Sequence, residues 1–521
     1  MEDVARVLGF QASTDLVSTV PRFLKLPQLA GEATEALRSD DSSSLTIQLA
    51  FPPSTSERGY NIFYPAIYWL NEDILLSIFN CYRLDNLLHW NRRLSWCKLL
   101  HVCQRWRHLI YHSTFHLGMH IECTNGSPMV NTLDHLPLLP LLVNYTSHLM
   151  PTVPKQDELG MYHTLQLHHR ILRIDLDLPP SILRKVLALM DENFPILEHL
   201  SLSCSFSADS GHCLPLTPPK AFLAPSLLHL TLYDIGLPKR LRLLTSTASL
   251  VTLTLSNIQT SSYFRPRLLV ARLRSLPLLE ELSIGFSIPI PRPSTERELL
   301  GEQGTPITLH SLKTLWFRGV GAYLESLVAQ IRIPLLEQLH IILFNQIALV
   351  LPHLFYLINI TNVFKFSSAT VGLHRDEVCI STFHGLERTS FYLCVRCKPL
   401  DWQIDCAAQI CDALIPTLSG VEKLSLLRAV GYEEVPTEMW NGAIDSASWH
   451  DLLRTFIGVK NLHIYDTLSE ELSSVLQVDE VGSEPGFLPN LRSIHAQRNL
   501  FTSFIDARQV MGLPVQFESW Y

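Results

Sequence analysis

The chain has 521 residues, 47% of them hydrophobic and 17% charged, and a formal net charge of −8. That length exceeds what one hydrophobic core organises, so several units or one extended repeat array are expected. The apolar content excludes a disordered chain, and the mild acidity excludes the basic footprint of a nucleic-acid-binding protein.

Eleven cysteines without regular spacing fit a reducing compartment, cytoplasm or nucleus, better than a disulfide framework. The opening MEDVARVLGF lacks a basic region followed by a long apolar stretch, so no secretory signal is expected. Residues 1–64 read as an extension with loop-like SDDSSS (Ser39–Ser44) and PPSTSERG (Pro52–Gly59), and a short helix in PQLAGEATEALRS between them.

Two amphipathic helices follow. In LNEDILLSIFNCYR (Leu70–Arg83), Asn71 can cap a helix and Glu72 and Asp73 favour its positive end. Ile74, Leu75, Ile78, Phe79 and Tyr82 then recur at helical spacing. In WCKLLHVCQRWRHLI (Trp96–Ile110) a stripe runs through Trp96, Leu99, Leu100, Cys103, Trp106 and Ile110. These apolar faces are wider than so small a pair can hide within itself. HLGMHIEC (His116–Cys123) alternates like a half-buried strand.

Beyond about residue 165 a pattern (P)-x-L-x-x-L-x-L recurs ten times. The copies begin at His169, Pro195, Pro225, Ala248, Pro277, His310, Pro334, Ser419, Ile457 and Pro489. Their spacing is longer and less regular than in standard leucine-rich repeats. Each copy predicts a strand followed by a return segment, as in SILRKVLALMDEN (Ser181–Asn193). One unit cannot bury its apolar face, so neighbours stack around a shared core. Leu197, Leu200 and Leu202 are expected inside, with His199, Ser201 and Ser203 on the opposite, concave face. The rhythm breaks between Ile341 and Ser419, where further diverged units are expected.

Catalytic and metal motifs are scarce. CVRC (Cys394–Cys397) is the one close cysteine pair of metal type. Residues three apart on a strand face opposite sides, so both read as core thiols rather than zinc ligands. GVGAYL (Gly319–Leu324) lacks the third glycine of a dinucleotide-binding turn, and no βαβ context is expected around it. HTLQLHH (His163–His169) reads as surface and concave-face histidines, and Asp175 and Asp177 as ordinary strand alternation. No cofactor and no enzyme activity are expected. The uncharged segment Gln338–Phe364 could span a bilayer by length, but Asn345–Gln346, Pro352, His353 and Asn359 interrupt it. A buried repeat helix is the preferred reading, with no membrane contact.

The helical pair resembles an F-box, the adaptor-binding module of many ubiquitin-ligase substrate receptors, with HVCQRWR (His101–Arg107) as its core. The chain is similar more narrowly to the large F-box family of mushroom-forming fungi. CTNGSPM (Cys123–Met129), LPLLPLLVNY (Leu136–Tyr145), PLDWQIDCAAQICDALIPTLSGVEKLSL (Pro399–Leu426) and FIDARQV (Phe504–Val510) carry that likeness. It departs from the F-box pattern at Leu70–Asn71, where Leu-Pro is usual, and in the long connection RLDNLLHWNRRLS (Arg83–Ser95).

The resemblance and the repeats together imply an α/β fold: a small helical F-box at 65–116, a connecting segment at 117–164 and an irregular leucine-rich-repeat-like α/β solenoid at 165–521. The family's role implies a substrate-recognition subunit of a cullin-RING ubiquitin ligase. A Skp-type adaptor would be held by Leu70, Ile74, Leu75, Ile78, Phe79, Leu99, Leu100, Val102, Cys103 and Trp106, with Phe79 and Trp106 as anchors. A target protein would meet the concave face at Tyr233, Trp316, Arg318, His340, His463, Tyr465 and His495. The alternative is a repeat scaffold whose F-box no longer binds the adaptor and only caps the array.

Overall fold

Leucine alternating with short polar residues at the end of each repeated segment yields a short strand, and these strands pair side by side. The computed structural model describes residues 70–518, apart from 88–96, 114–119, 127–132, 134–138, 147–152, 205–215, 220, 237–241, 290–304, 345–348, 362–363, 365, 385–387, 398–399, 429–445 and 478–487. The expected N-terminal extension and its helix, together with Trp96, lie outside the described residues.

Three helices come first: α1 (Glu72–Leu87), α2 (Cys97–Leu100) and α3 (Gln104–His112). The next elements are β1 (Ile121–Thr124), β2 (Leu141–Thr146), α4 (Lys155–Gln166), β3 (Ile171–Asp177), α5 (Pro180–Leu189), β4 (His199–Ser203), β5 (His229–Tyr233), α6 (Arg242–Ser246), β6 (Thr252–Ile258), α7 (Pro266–Leu273) and β7 (Glu281–Phe286). The middle holds β8 (Ile307–Thr308), β9 (Thr314–Gly319), α8 (Gly321–Val328), β10 (Ile331–Arg332), β11 (Gln338–Leu343), α9 (Pro352–Ile360), β12 (Ser368–Leu373), β13 (Glu377–His384), β14 (Arg388–Arg396), α10 (Leu400–Ala413) and α11 (Ile415–Leu418). The chain closes with β15 (Lys423–Arg428), α12 (Ser446–Arg454), β16 (Asn461–Ile464), α13 (Asp466–Gln477), β17 (Ser493–His495), α14 (Thr502–Val510) and β18 (Gln516–Glu518).

The fold is mixed α/β. Sixteen strands form one sheet in the order β1-β2-β3-β4-β5-β6-β7-β9-β11-β14-β13-β12-β15-β16-β17-β18, and β8 pairs with β10 apart from it. All ten repeated segments carry a strand of the large sheet. Within them Leu197, Leu200 and Leu202 are buried, and so are their counterparts Leu227, Leu230 and Leu232 in the next copy. His199, Ser201 and Ser203 face the other way and are half-exposed.

The second position of the pattern adds a stitch between copies. Ser226 Oγ–H donates to the Pro195 carbonyl (2.7 Å), Ser311 to Pro277 (3.1 Å), and the Asn490 amide to Ile457 (2.9 Å). Each reaches the first residue of the preceding copy, so a short polar side chain there satisfies a turn carbonyl that the strand ladder leaves free.

The break between Ile341 and Ser419 is a reversal. The chain leaves β11, skips two places to make β12, and returns through β13 to β14, which pairs in parallel with β11. β13 is antiparallel to both neighbours, while β12 pairs in parallel with β15. The segment Gln338–Phe364 is thus the strand β11 and the nine-residue helix α9, and no helix among the described residues is long and apolar enough to cross a membrane. GVGAYL does lie in a βαβ context, between β9 and α8 with parallel β11 after it, contrary to expectation. Its first glycine serves packing. A Cβ on Gly319 would stand 2.7 Å from the Phe317 ring and 2.9 Å from that of Phe286.

From Leu70 onward the chain holds together as one compact unit. The helices share the sheet's hydrophobic core, where Leu75, Phe79, Leu109 and Ile110 join the strand leucines.

Candidate functional site

Two regions hold the residues that the sequence singles out. The first is the helical pair. Asn71 Oδ1 accepts the Asp73 N–H (3.0 Å), so the asparagine does cap α1. The Arg105 guanidinium donates to the Leu70 carbonyl (2.7 Å) and ties that end to α3. Cys103 caps α3, its sulfur accepting the Trp106 N–H at 3.5 Å.

The ten residues expected to meet an adaptor divide by burial. Ile74 (49% exposed), Ile78 (41%) and Val102 (58%) face outward. Leu70, Cys103 and Trp106 are half-buried, while Leu75, Phe79, Leu99 and Leu100 lie inside the chain. Phe79, expected as an anchor, is fully buried and meets the Trp106 ring edge-on at 4.8 Å. Helix α1 thus carries two apolar stripes four residues apart in spacing, Leu75/Phe79 inward and Ile74/Ile78 outward.

The second region is the open face of the sheet. Register aligns Ser283, Trp316, His340, Tyr392 and Ser381 across five strands, and Thr370, Ser425, His463 and His495 continue the row. Paired residues point to the same side, so Trp316, His340, His463 and His495 share one face. Arg318 and Tyr233 belong to it two residues further along their strands, and Tyr465 is exposed just past β16.

Neighbours on this face interact. His340 stacks on Tyr392 (5.8 Å, 27°) and His463 on His495 (4.0 Å, 18°), and His495 Nε2 lies 3.0 Å from the Glu518 carboxylate. Trp316 leans over Gly285, where a Cβ would stand 2.8 Å from its ring. The Arg318 and Arg396 guanidinium groups lie 5.6 and 5.8 Å from the centre of the Phe344 ring. Burial lowers the Arg318 proton affinity, and the Arg396 charge lowers it further.

Beside these arginines opens a cleft of ≈ 590 Å³, bordered by Ser287, Ile288, Phe344, His374, Glu377 and Arg396. At its edge sits a cluster with no local sequence signature. Cys379 of β13 stands directly opposite Cys394 of β14, and the Tyr392 hydroxyl lies 3.1 Å from the Cys379 sulfur. A hydrogen bond with the Cys394 thiol, and a weaker one with His374, hold Cys379 below the usual thiol range against burial. The same contact pushes Cys394 well above it, and the Cys379 contact raises His374.

Cys397 lies on the other face, in the hydrophobic core that Cys394 stays out of, and its thiol donates to the Val395 carbonyl (3.6 Å). The opposite-face expectation for Cys394 and Cys397 therefore holds. The partner of Cys394 came from another strand. Glu377, Cys379 and Cys394 are the residues able to hold a metal among those described.

No protein-family model matches this chain, and no curated protein is significantly similar to it.

Proposed function

We propose that this chain is the substrate-recognition subunit of a cullin-RING ubiquitin ligase. On this reading α1–α3 form an F-box that docks on a Skp-type adaptor in the cytoplasm or nucleus. The strand-and-return units form an irregular leucine-rich-repeat-like solenoid whose open sheet face takes the target protein. The chain supplies no bond chemistry of its own; it raises the effective concentration of target beside a ubiquitin-charged enzyme held by other subunits.

The observation that carries the reading is the outward stripe of α1. Ile74 and Ile78 are exposed on a helix whose inward stripe is already satisfied, with Val102 exposed in the turn before α3. Paired isoleucines at i and i+4 left in water are what a helical partner would cover. Support for the target-binding half comes from the open face, where Trp316, Arg318, His340 and Tyr233 supply the aromatic and arginine side chains that dominate interface hot spots.

A second reading, a scaffold in which α1–α3 only cap the array, is favoured by the burial of Leu75, Phe79, Leu99 and Leu100 in the core shared with the sheet.

The test is capture of a purified Skp-type adaptor by the full chain. Wild type is compared with Ile74→Glu/Ile78→Glu, both surface positions that leave the fold intact, and with Trp316→Ala/Arg318→Ala. Adaptor affinity should fall at least about thirtyfold, the loss of about 2 kcal/mol from a hot spot, in the first double variant and stay unchanged in the second. A folded wild type that does not bind the adaptor leaves the scaffold reading.

A further inference from the structure

The reversed strands β12–β14 carry a side-chain cluster that adaptor and target binding leave unused. Arg375 and Asp376 form the turn between β12 and β13, closed by a hydrogen bond from the His374 N–H to the Glu377 carbonyl (2.8 Å). That closure sets the His374 and Glu377 side chains beside each other at the hairpin's end. Two residues on, Cys379 faces Cys394 across the antiparallel pair. Gly372 keeps the space for the His374 ring, since a Cβ there would stand 3.1 Å from Nε2. The Glu377 carboxylate oxygen and both sulfurs lie within 4.8 Å of one another.

We propose that Glu377, Cys379 and Cys394 form a three-residue zinc-binding site whose fourth position is left to water.

Tetrahedral zinc with Zn–S near 2.3 Å and Zn–O near 2.0–2.2 Å needs its donors roughly 3.5–3.8 Å apart. The three donors reach that by closing about an ångström, within the freedom of three side-chain torsions. His374 lies at the same end of the hairpin but stands outside the three-donor group. Two thiolates and a carboxylate select zinc over magnesium or calcium.

Ordinary core packing accounts for the cysteines but not for their neighbour. Two buried thiols need no carboxylate beside them, and a half-buried carboxylate against sulfur is costly without a cation. Arg396 offsets part of that cost, its Nε 3.9 Å from the Glu377 carboxylate. The Tyr392 hydroxyl, 3.1 Å from the Cys379 sulfur, is an outer hydrogen bond of the kind that orients a metal ligand. Glu377 and His374 also border the cleft, which gives the ion a way in. On binding, each thiol releases its proton to solvent as its sulfur–metal bond forms. The ion would pin β13 to β14 and to the hairpin turn.

The test uses the full chain, reduced and freed of metal by chelator, then titrated with Co²⁺. One Co²⁺ per chain should bind, with thiolate-to-cobalt charge transfer in the near ultraviolet and tetrahedral d–d bands in the red, and Zn²⁺ should displace it. Cys379→Ser/Cys394→Ser should abolish the charge-transfer band. Glu377→Gln should weaken binding at least tenfold, and Cys397→Ser should change nothing.

Three results overturn the site. One is a folded wild type with no charge transfer, which needs no variant to fold. Another is a band that survives Cys379→Ser/Cys394→Ser. The third is a Cys379–Cys394 disulfide in the purified protein whose reduction restores no cobalt binding.

Discussion

Glu325 is buried on α8 and accepts two backbone N–H groups from the first turn of α9, those of His353 (3.0 Å) and Leu354 (2.9 Å). Leu351, which precedes that helix, has no side-chain cap to offer. A carboxylate from a neighbouring element therefore does the work that Asn71 does locally for α1. Burial raises the Glu325 pKa, and the two N–H groups oppose the rise. Removing it leaves one buried and one part-buried donor unpaired, so Glu325→Ala should cost about 2 kcal/mol in urea denaturation, and Glu325→Gln, which keeps an acceptor, about 1 kcal/mol. The Asn71 cap is legible in the sequence because cap and helix are adjacent. The Glu325 cap is not, because its partners are 28 and 29 residues away. Phe79 differs from both. Helical spacing puts it on an apolar stripe, but periodicity alone does not say which of the two stripes on α1 faces the core.

At the scale of strands, the repeated pattern locates ten members of the sheet because each copy carries its own leucines and its own turn residue. The strands β12–β14 escape it. Their order depends on two hairpins, and no residue within one strand encodes which strand it will lie beside; hence Cys379 and Cys394 meet without a motif. In-register pairing also stacks like on like, as with His199 and His229 (5.7 Å) and His463 and His495 (4.0 Å). Burial chiefly, helped by Arg173 in one case and His495 in the other, lowers His199 and His463 to about 4. Both are then neutral in the fold near pH 7, whereas the unfolded chain takes up protons once pH drops below the ordinary value of 6.5. The stability they lend is present above pH 6.5 and lost as pH falls toward 4. Melting temperature should decline across that window, and His199→Asn/His463→Asn should flatten the decline; an equal slope in the variant would assign the loss to other groups.

For the whole molecule, the reversal separates order along the chain from order across the sheet. From β1 to β11 each strand, β8 and β10 aside, lies against one made earlier. Beyond that the edge of β11 waits for β14, while β15 pairs with β12. A chain cut after Leu343 should therefore fold through β11 and self-associate along that strand's open edge. A cut after His384 should do the same, and a cut after Ala413, in which β14 covers that edge but β12 lacks β15, should still associate by light scattering, now along β12. Synthesis runs in the same direction as these cuts. As the chain leaves the ribosome, every residue up to Arg388 emerges with one edge of β11 unpaired, an interval in which the half-made protein offers an open strand edge to any neighbour. The same reversal that seats Cys379 beside Cys394 thus defines a period during synthesis when a chaperone has something to hold.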